Sequence, residues 1–185
     1  MTACKTLAKY RMTTVWTNPT TIEQYAESDA ESVHIPWRDA EILALTSPGS
    51  QSLGLNGALS RISRAPKYDT TNKTWYVQAT GYNFSNLPAT VSGIEVNLIA
   101  NRFGRVTDDT VQLCYQGAVI GVNRADLNLD PSKIYGNGSD TWDIPGLTSS
   151  VIQDASFGVV IRFQSHPHYP HRDGAYISAV QIRIS

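Results

Sequence analysis

The chain has 185 residues, of which 41% are hydrophobic and only 17% are charged, and its formal net charge is −1. This length and composition predict one globular domain whose core needs neither a metal nor a disulfide. The nearly neutral balance excludes a global attraction to nucleic acid or to an anionic membrane, so neither is expected as a partner.

The amino-terminal segment differs from the rest of the chain. Residues 1–14, from Met1 to Thr14, show neither strand alternation nor turn signals, which predicts a docking arm followed by one β-sandwich domain over residues 15–185. Cys4 falls in this arm and Cys114 in a strand pattern, so both are expected to be free thiols. No apolar segment resembles a signal peptide or a membrane span, so we expect synthesis in the cytoplasm, with any exit from the cell inside an assembled particle or by lysis.

Helical periodicity is scarce, and strand alternation dominates from Trp75 onward. The early exception is Thr21 to Ala30, where Ile22 and Tyr25 lie one turn apart and indicate a candidate helix. Alternating apolar positions predict strands further along, at Ile94, Val96, Leu98 and Ala100, and again at Val111, Leu113 and Tyr115.

The carboxyl-terminal third has the clearest pattern. Leu147 to Asp154 predicts one helical turn with Thr148 as its N-cap. Two long strands follow and are predicted to pair as neighbours in one sheet, the first of them central. Their core-facing residues are predicted to be Phe157, Val159, Ile161 and Phe163 in one strand and Tyr176, Val180 and Ile182 in the other.

These elements together predict an all-β fold: an antiparallel two-sheet sandwich of jelly-roll type, with one short helical turn and an extended N-terminal arm. Large aromatic residues and Arg162, on the outer face of its strand, are the candidates for subunit contacts. The candidate interface residues are Tyr10, Trp16, Trp37 and Arg162.

One loop carries three histidines, His166, His168 and His171, in an H-x-H pattern that suits a transition metal. Apart from Asp173, no acidic residue or cysteine completes a site within one chain, so an exposed loop held by prolines is the preferred interpretation. The sequence contains no nucleophile elbow and no identifiable acid pair. No metal, other cofactor or catalytic residue is therefore expected.

The order of several short motifs resembles a β-sandwich module of structural proteins in tailed-phage and prophage virions, described as tail, fibre or virion-associated. The motifs are Trp16-Thr17-Asn18-Pro19, Gln78-Ala79-Thr80-Gly81-Tyr82-Asn83-Phe84, Ser92-Gly93-Ile94-Glu95-Val96, Asp109-Thr110-Val111-Gln112-Leu113, Gly121-Val122-Asn123-Arg124-Ala125-Asp126, Tyr135-Gly136, Asp140-Thr141-Trp142, Ala155-Ser156-Phe157-Gly158-Val159-Val160 and Ala179-Val180-Gln181-Ile182-Arg183-Ile184. The resemblance covers Trp16 to Ser185.

This resemblance implies a non-enzymatic virion component, tail- or fibre-associated, that forms a trimer or ring on a larger particle. Its expected partners are tail, portal, adaptor or capsid proteins. The family provides no catalytic residues to assign. Two alternatives stay open, namely a capsid decoration protein and a carbohydrate-binding receptor module that contacts a host-surface glycan.

Overall fold

A computed structural model describes residues 15–26, 33–37, 46, 53–54, 72–104, 106–126, 131–165 and 174–185. The predicted docking arm, Tyr10 and the histidine loop lie outside these residues. The elements in chain order are β1 (Thr21–Tyr25), β2 (Val33–Ile35), β3 (Leu53–Gly54), β4 (Asn72–Thr74), β5 (Tyr76–Thr80), β6 (Ile94–Phe103), β7 (Val106–Tyr115), β8 (Ala118–Ile120), β9 (Ser132–Asn137), α1 (Ser149–Gln153), β10 (Gly158–Ser165) and β11 (Gly174–Ile184). The prediction of an all-β fold with two mainly antiparallel sheets is confirmed.

The larger sheet has seven strands and is organised around β10. One edge of β10 pairs with β7 along its length, and the other edge pairs with β5 and then with β4. β1 lies outside β5, β2 lies parallel to β4, and β8 lies outside β7. The central position predicted for β10 is confirmed, because all but one of its residues are buried.

The smaller sheet has four strands in the order β3-β11-β6-β9. β11 pairs with β6 from Gly174 to Ile184, and Thr17 forms an isolated bridge with Ile182 on the other edge of β11. The prediction that β10 and β11 are neighbours in one sheet is therefore wrong. Each pairs instead with a long strand from another part of the chain, β7 or β6, and the connection between them crosses from one sheet to the other.

Residues of both sheets belong to one cluster of buried hydrophobic side chains. The predicted inner face of β10 is confirmed, since Phe157, Val159, Ile161 and Phe163 are all fully buried. In β11, Val180 and Ile182 are buried as predicted.

Tyr176 is 36% exposed, and its neighbour Ile177 is buried in its place. A register shift between Ile177 and Ala179 reverses which side chains face the core, so the prediction for Tyr176 is wrong.

The two helix predictions have opposite outcomes. The prediction of a helix from Thr21 to Ala30 is wrong for its described part, because Thr21–Tyr25 forms β1 and pairs with β5 over all five residues. Tertiary pairing outweighs the weak local periodicity there. The predicted helical turn is confirmed as α1, and the Thr148 side chain accepts a hydrogen bond from the Val151 backbone N–H.

Candidate functional site

The outer face of the seven-stranded sheet carries a row of side chains that crosses its strands. We call this row, formed by Tyr25, Tyr76 and Arg162, the tyrosine row. Tyr25 of β1 is the cross-strand partner of Tyr76 in β5, and their rings stack with centroids 5.0 Å apart. The guanidinium of Arg162 lies 4.1 Å from the centroid of the Tyr76 ring. Because β5 lies between β1 and β10, Tyr76 is held between a second ring and a cation.

A β-bulge in β7 places two consecutive aspartates on opposite sides of the sheet. Arg162 pairs with Thr110 and Phe163 pairs with Asp108, so Asp109 is the additional residue. On the outer face, Asp109 Oδ2 accepts a hydrogen bond from Arg162 Nε at 2.5 Å, and Asp109 Oδ1 lies 3.7 Å from Lys73 Nζ. The carboxylate thereby joins two cations at the edge of the tyrosine row.

Asp108 belongs to a polar cluster that lies between the two sheets and is shielded from solvent. It accepts a hydrogen bond from Arg102 at 2.6 Å and another from the Tyr135 hydroxyl. Burial raises the pKa of Asp108 and outweighs the opposing effects of Tyr135 and Arg102, and burial also raises the pKa of Tyr135. The side chains of Arg102 and Asp108 are 1% and 0% exposed, so a substrate cannot reach them in the closed fold.

Beside the tyrosine row lies a groove of about 350 Å³, which we call the outer groove. Its floor contains the short side chains Val160 and Cys114, and none of the described residues that line it carries a charge. Burial raises the pKa of the Cys114 thiol to about 12, so this part of the floor stays neutral. The lining residues are Tyr25, Ala26, Tyr76, Gln78, Thr110, Gln112, Cys114, Gly117, Ala118, Val119 and Val160.

Two glutamines face each other across the floor of the outer groove. Val160 is the cross-strand partner of both Gln78 and Gln112, which places the two glutamine backbones about 10 Å apart. Gln112 Nε2 donates a hydrogen bond to the Gly121 carbonyl at 2.6 Å, which orients that amide. At the far rim, Val119 of β8 is 51% exposed.

The outer face of the four-stranded sheet carries three exposed hydrophobic residues, Ile99, Ile134 and Tyr176, which we call the apolar patch. They are 37%, 50% and 36% exposed. Ile134 pairs with Asn97, two residues before Ile99 in the same strand, so the two isoleucines are diagonal neighbours. Tyr176 pairs with the next outward residue of β6, Asn101. The patch therefore spans three adjacent strands.

Two polar rows lie beside the apolar patch. In the first, Arg183 donates hydrogen bonds of 2.7 and 2.9 Å to Glu95, and its guanidinium lies 4.5 Å from the centroid of the Trp16 ring. In the second, side-chain hydrogen bonds of 3.0 Å connect Asn97 to Gln181 and Gln181 to Asn18. These bonds give the patch an ordered polar border.

The structure places the predicted interface candidates in different environments. Trp16 is half-buried on the outer face of the smaller sheet. Trp37 is 1% exposed, packs edge-on against Phe163 and donates a hydrogen bond to the Trp75 carbonyl, so it belongs to the core. Arg162 lies on the outer face of β10 as predicted, but it is only 6% exposed. Tyr10 and the candidate metal ligands His166, His168 and His171 lie outside the described residues.

None of the residues of the outer groove or of the apolar patch was among the predicted site residues, although Tyr25, Cys114 and Tyr176 belonged to predicted elements. Alternation alone places Tyr76 and Gln78 on the strand face opposite the buried Val77 and Ala79. The sequence therefore predicts that these two side chains point away from the core. Which outward residues meet depends on strand order, and local alternation does not specify strand order.

No protein-family model matches the chain, and comparison with curated proteins and with solved structures finds no match. Within the described ranges, no helix is long and apolar enough to cross a membrane. The same residues contain no group of three or more histidine, cysteine or acidic side chains arranged to hold a metal ion.

Proposed function

We propose that this chain is a non-enzymatic structural protein of a tailed-phage virion, associated with the tail or fibre, that assembles as a homo-oligomer on a larger particle. The order of the sequence motifs supports the phage assignment. We further propose a sandwich of jelly-roll type. Support comes from the connections β5 to β6, β6 to β7, β8 to β9, β9 to β10 and β10 to β11, which each join strands of different sheets.

The apolar patch is the structural observation that supports the proposal of assembly into a homo-oligomer. Subunit interfaces commonly have an apolar centre and a polar rim, and a contiguous exposed apolar area is more informative than scattered single residues. Ile99 and Ile134 are diagonal neighbours, and the Glu95–Arg183 and Asn97–Gln181 pairs border them. A trimer or ring formed through this face would bury the isoleucines while its rim stays polar.

Oligomeric state tests the role of the patch. The full chain is measured by size-exclusion chromatography with light scattering over a range of concentrations. We expect an oligomer, and Ile134→Arg should shift it to monomer because a buried unpaired charge is costly. Val119→Arg is the matched control, since Val119 and Ile134 are 51% and 50% exposed on different sheets. Equal association of the wild type and Ile134→Arg would exclude the patch as the interface.

Residues 1–14 are proposed to dock the oligomer on its partners, which are tail, portal, adaptor or capsid proteins. Deleting them should leave the melting temperature nearly unchanged and abolish incorporation into particles. Antibody labelling of intact particles then locates the protein. Label on the tail or fibre supports the proposal, label on the capsid supports the decoration alternative, and particles without label refute both.

A further inference from the structure

The outer groove is a concave surface whose described lining residues are uncharged, and the proposed assembly face does not use it. We propose that it binds a neutral saccharide. This inference rests on the groove alone and not on the virion role, because the groove and the apolar patch lie on different sheets. Its volume of about 350 Å³ falls within the ~300–1,000 Å³ typical of small-molecule sites.

The polar groups of the groove suit a ligand with hydroxyls on opposite sides. Gln78 and Gln112 lie on the two sides of Val160. A carboxamide has two N–H donors and one carbonyl acceptor, and Gln112 uses one of its donors on the Gly121 carbonyl. The Thr110 hydroxyl donates to Asp109 at 3.0 Å, and its oxygen can still accept a hydrogen bond. Val160 is only 1% exposed between the two glutamines, so a sugar in the groove would contact the two amides and the Thr110 hydroxyl rather than the valine side chain.

Tyr25 and Tyr76 form the aromatic wall of the outer groove, and contacts within the protein hold this wall in place in the absence of a ligand. Tyr76 is fixed by the Tyr25 ring on one side and by Arg162 on the other. Because both faces of its ring are covered, Tyr76 presents its ring edge and its polar hydroxyl to a ligand in the groove. A fixed wall also lowers the entropy cost of binding, because fewer side chains have to be immobilised.

The described lining of the groove offers no charged side chain to an anionic ligand. Arg162 and Lys73 are the cations at its border, and both lie against Asp109, at 2.5 and 3.7 Å. Asp109 offsets one of these two positive charges, so acidic ligands have to be tested beside neutral ones. An extended peptide is also a poor fit, because the groove lies across a sheet face where main-chain groups already pair with neighbouring strands. Peptides that join sheets do so at an edge.

The experiment uses the full chain and two panels of immobilised oligosaccharides. The first panel contains neutral oligomers of glucose, galactose, mannose and N-acetylglucosamine, and the second contains sialylated and sulfated sugars. We expect binding to at least one neutral member, which is then titrated in solution by calorimetry. Gln78→Ala and Gln112→Ala should each weaken binding about five- to tenfold, the equivalent of one lost hydrogen bond. Gln181→Ala, an amide on the other sheet, should leave the affinity unchanged.

A second pair of variants separates a site effect from a folding effect. Val119→Arg, at the groove rim, should weaken binding, whereas Ile134→Arg should not, and thermal melting verifies that each variant is folded. The proposal is overturned if no neutral sugar binds, if only acidic sugars or peptides bind, or if Gln181→Ala weakens binding as much as Gln112→Ala. An oligomer that dissociates with Ile134→Arg but binds no sugar would overturn this inference and leave the assembly proposal intact.

Discussion

Arg162 sits in an environment that makes its removal costly. Its side chain is 7% exposed, its Nε donates to Asp109 at 2.5 Å, and its guanidinium lies over Tyr76. In Arg162→Ala the Asp109 carboxylate, 14% exposed, keeps Lys73 at 3.7 Å as a cation. Breaking a buried ion pair costs about 3–5 kcal/mol, and Lys73 reduces that cost. Loss of the cation–π contact adds about 1 kcal/mol. We expect a total destabilisation of about 3 kcal/mol.

Arg183 provides a matched control on the other sheet. It also combines a carboxylate partner, Glu95, with an aromatic ring, Trp16, but its side chain is 31% exposed. Solvent screening limits such pairs, so Arg183→Ala should cost about 1 kcal/mol. The two variants therefore differ mainly in how far the arginine is buried.

Urea unfolding of both variants, followed by tryptophan fluorescence at one protein concentration, measures the two losses. In 1 M salt the contribution of Arg183 should shrink, while that of Arg162 should persist, because buried pairs are screened much less. Equal losses for the two variants, or a larger loss for Arg183→Ala, would refute the reasoning from burial.

Three further predictions test the core. Phe163→Ala should lower the free energy of unfolding by about 3–5 kcal/mol, because it removes a fully buried ring packed against Trp37; a loss below about 1 kcal/mol in urea unfolding would contradict this packing. In a Cys4→Ser background, Cys114 should react with iodoacetamide at pH 8 only as fast as the fold opens. The reason is that the thiol is buried and its pKa is raised to about 12. Labelling of Cys114 at the rate of an exposed thiol would contradict this burial. Burial raises the pKa of Asp108, so the folded chain holds this proton to higher pH than the unfolded chain, and stability should fall as pH rises from about 4 toward the raised pKa. Asp108→Asn should make the slope of unfolding free energy against pH more positive over that range, and an unchanged slope would remove Asp108 as its cause.

Several features followed from the sequence because they depend on neighbouring residues. Alternation in β10 identified Phe157, Val159, Ile161 and Phe163 as core residues, since successive side chains of a strand point to opposite faces. The helical turn before β10 was also predictable, because an N-cap such as Thr148 acts on the backbone within one turn. The virion role stays a prediction that rests on the order of motifs.

Other features depended on contacts between distant parts of the chain. Thr21–Tyr25 forms a strand because β5 pairs with it, and the weak local periodicity did not indicate that pairing. The register shift after Ile177 turns Tyr176 outward, and a bulge of this kind depends on the partner strand β6.

The two candidate surfaces were also decided by the tertiary structure. The outer groove combines side chains from β1, β5, β7, β8 and β10, and the apolar patch combines β6, β9 and β11. Alternation determines which face of a strand each residue occupies. Strand order determines which of those faces become neighbours, and strand order is set by the packing of the whole chain around one core.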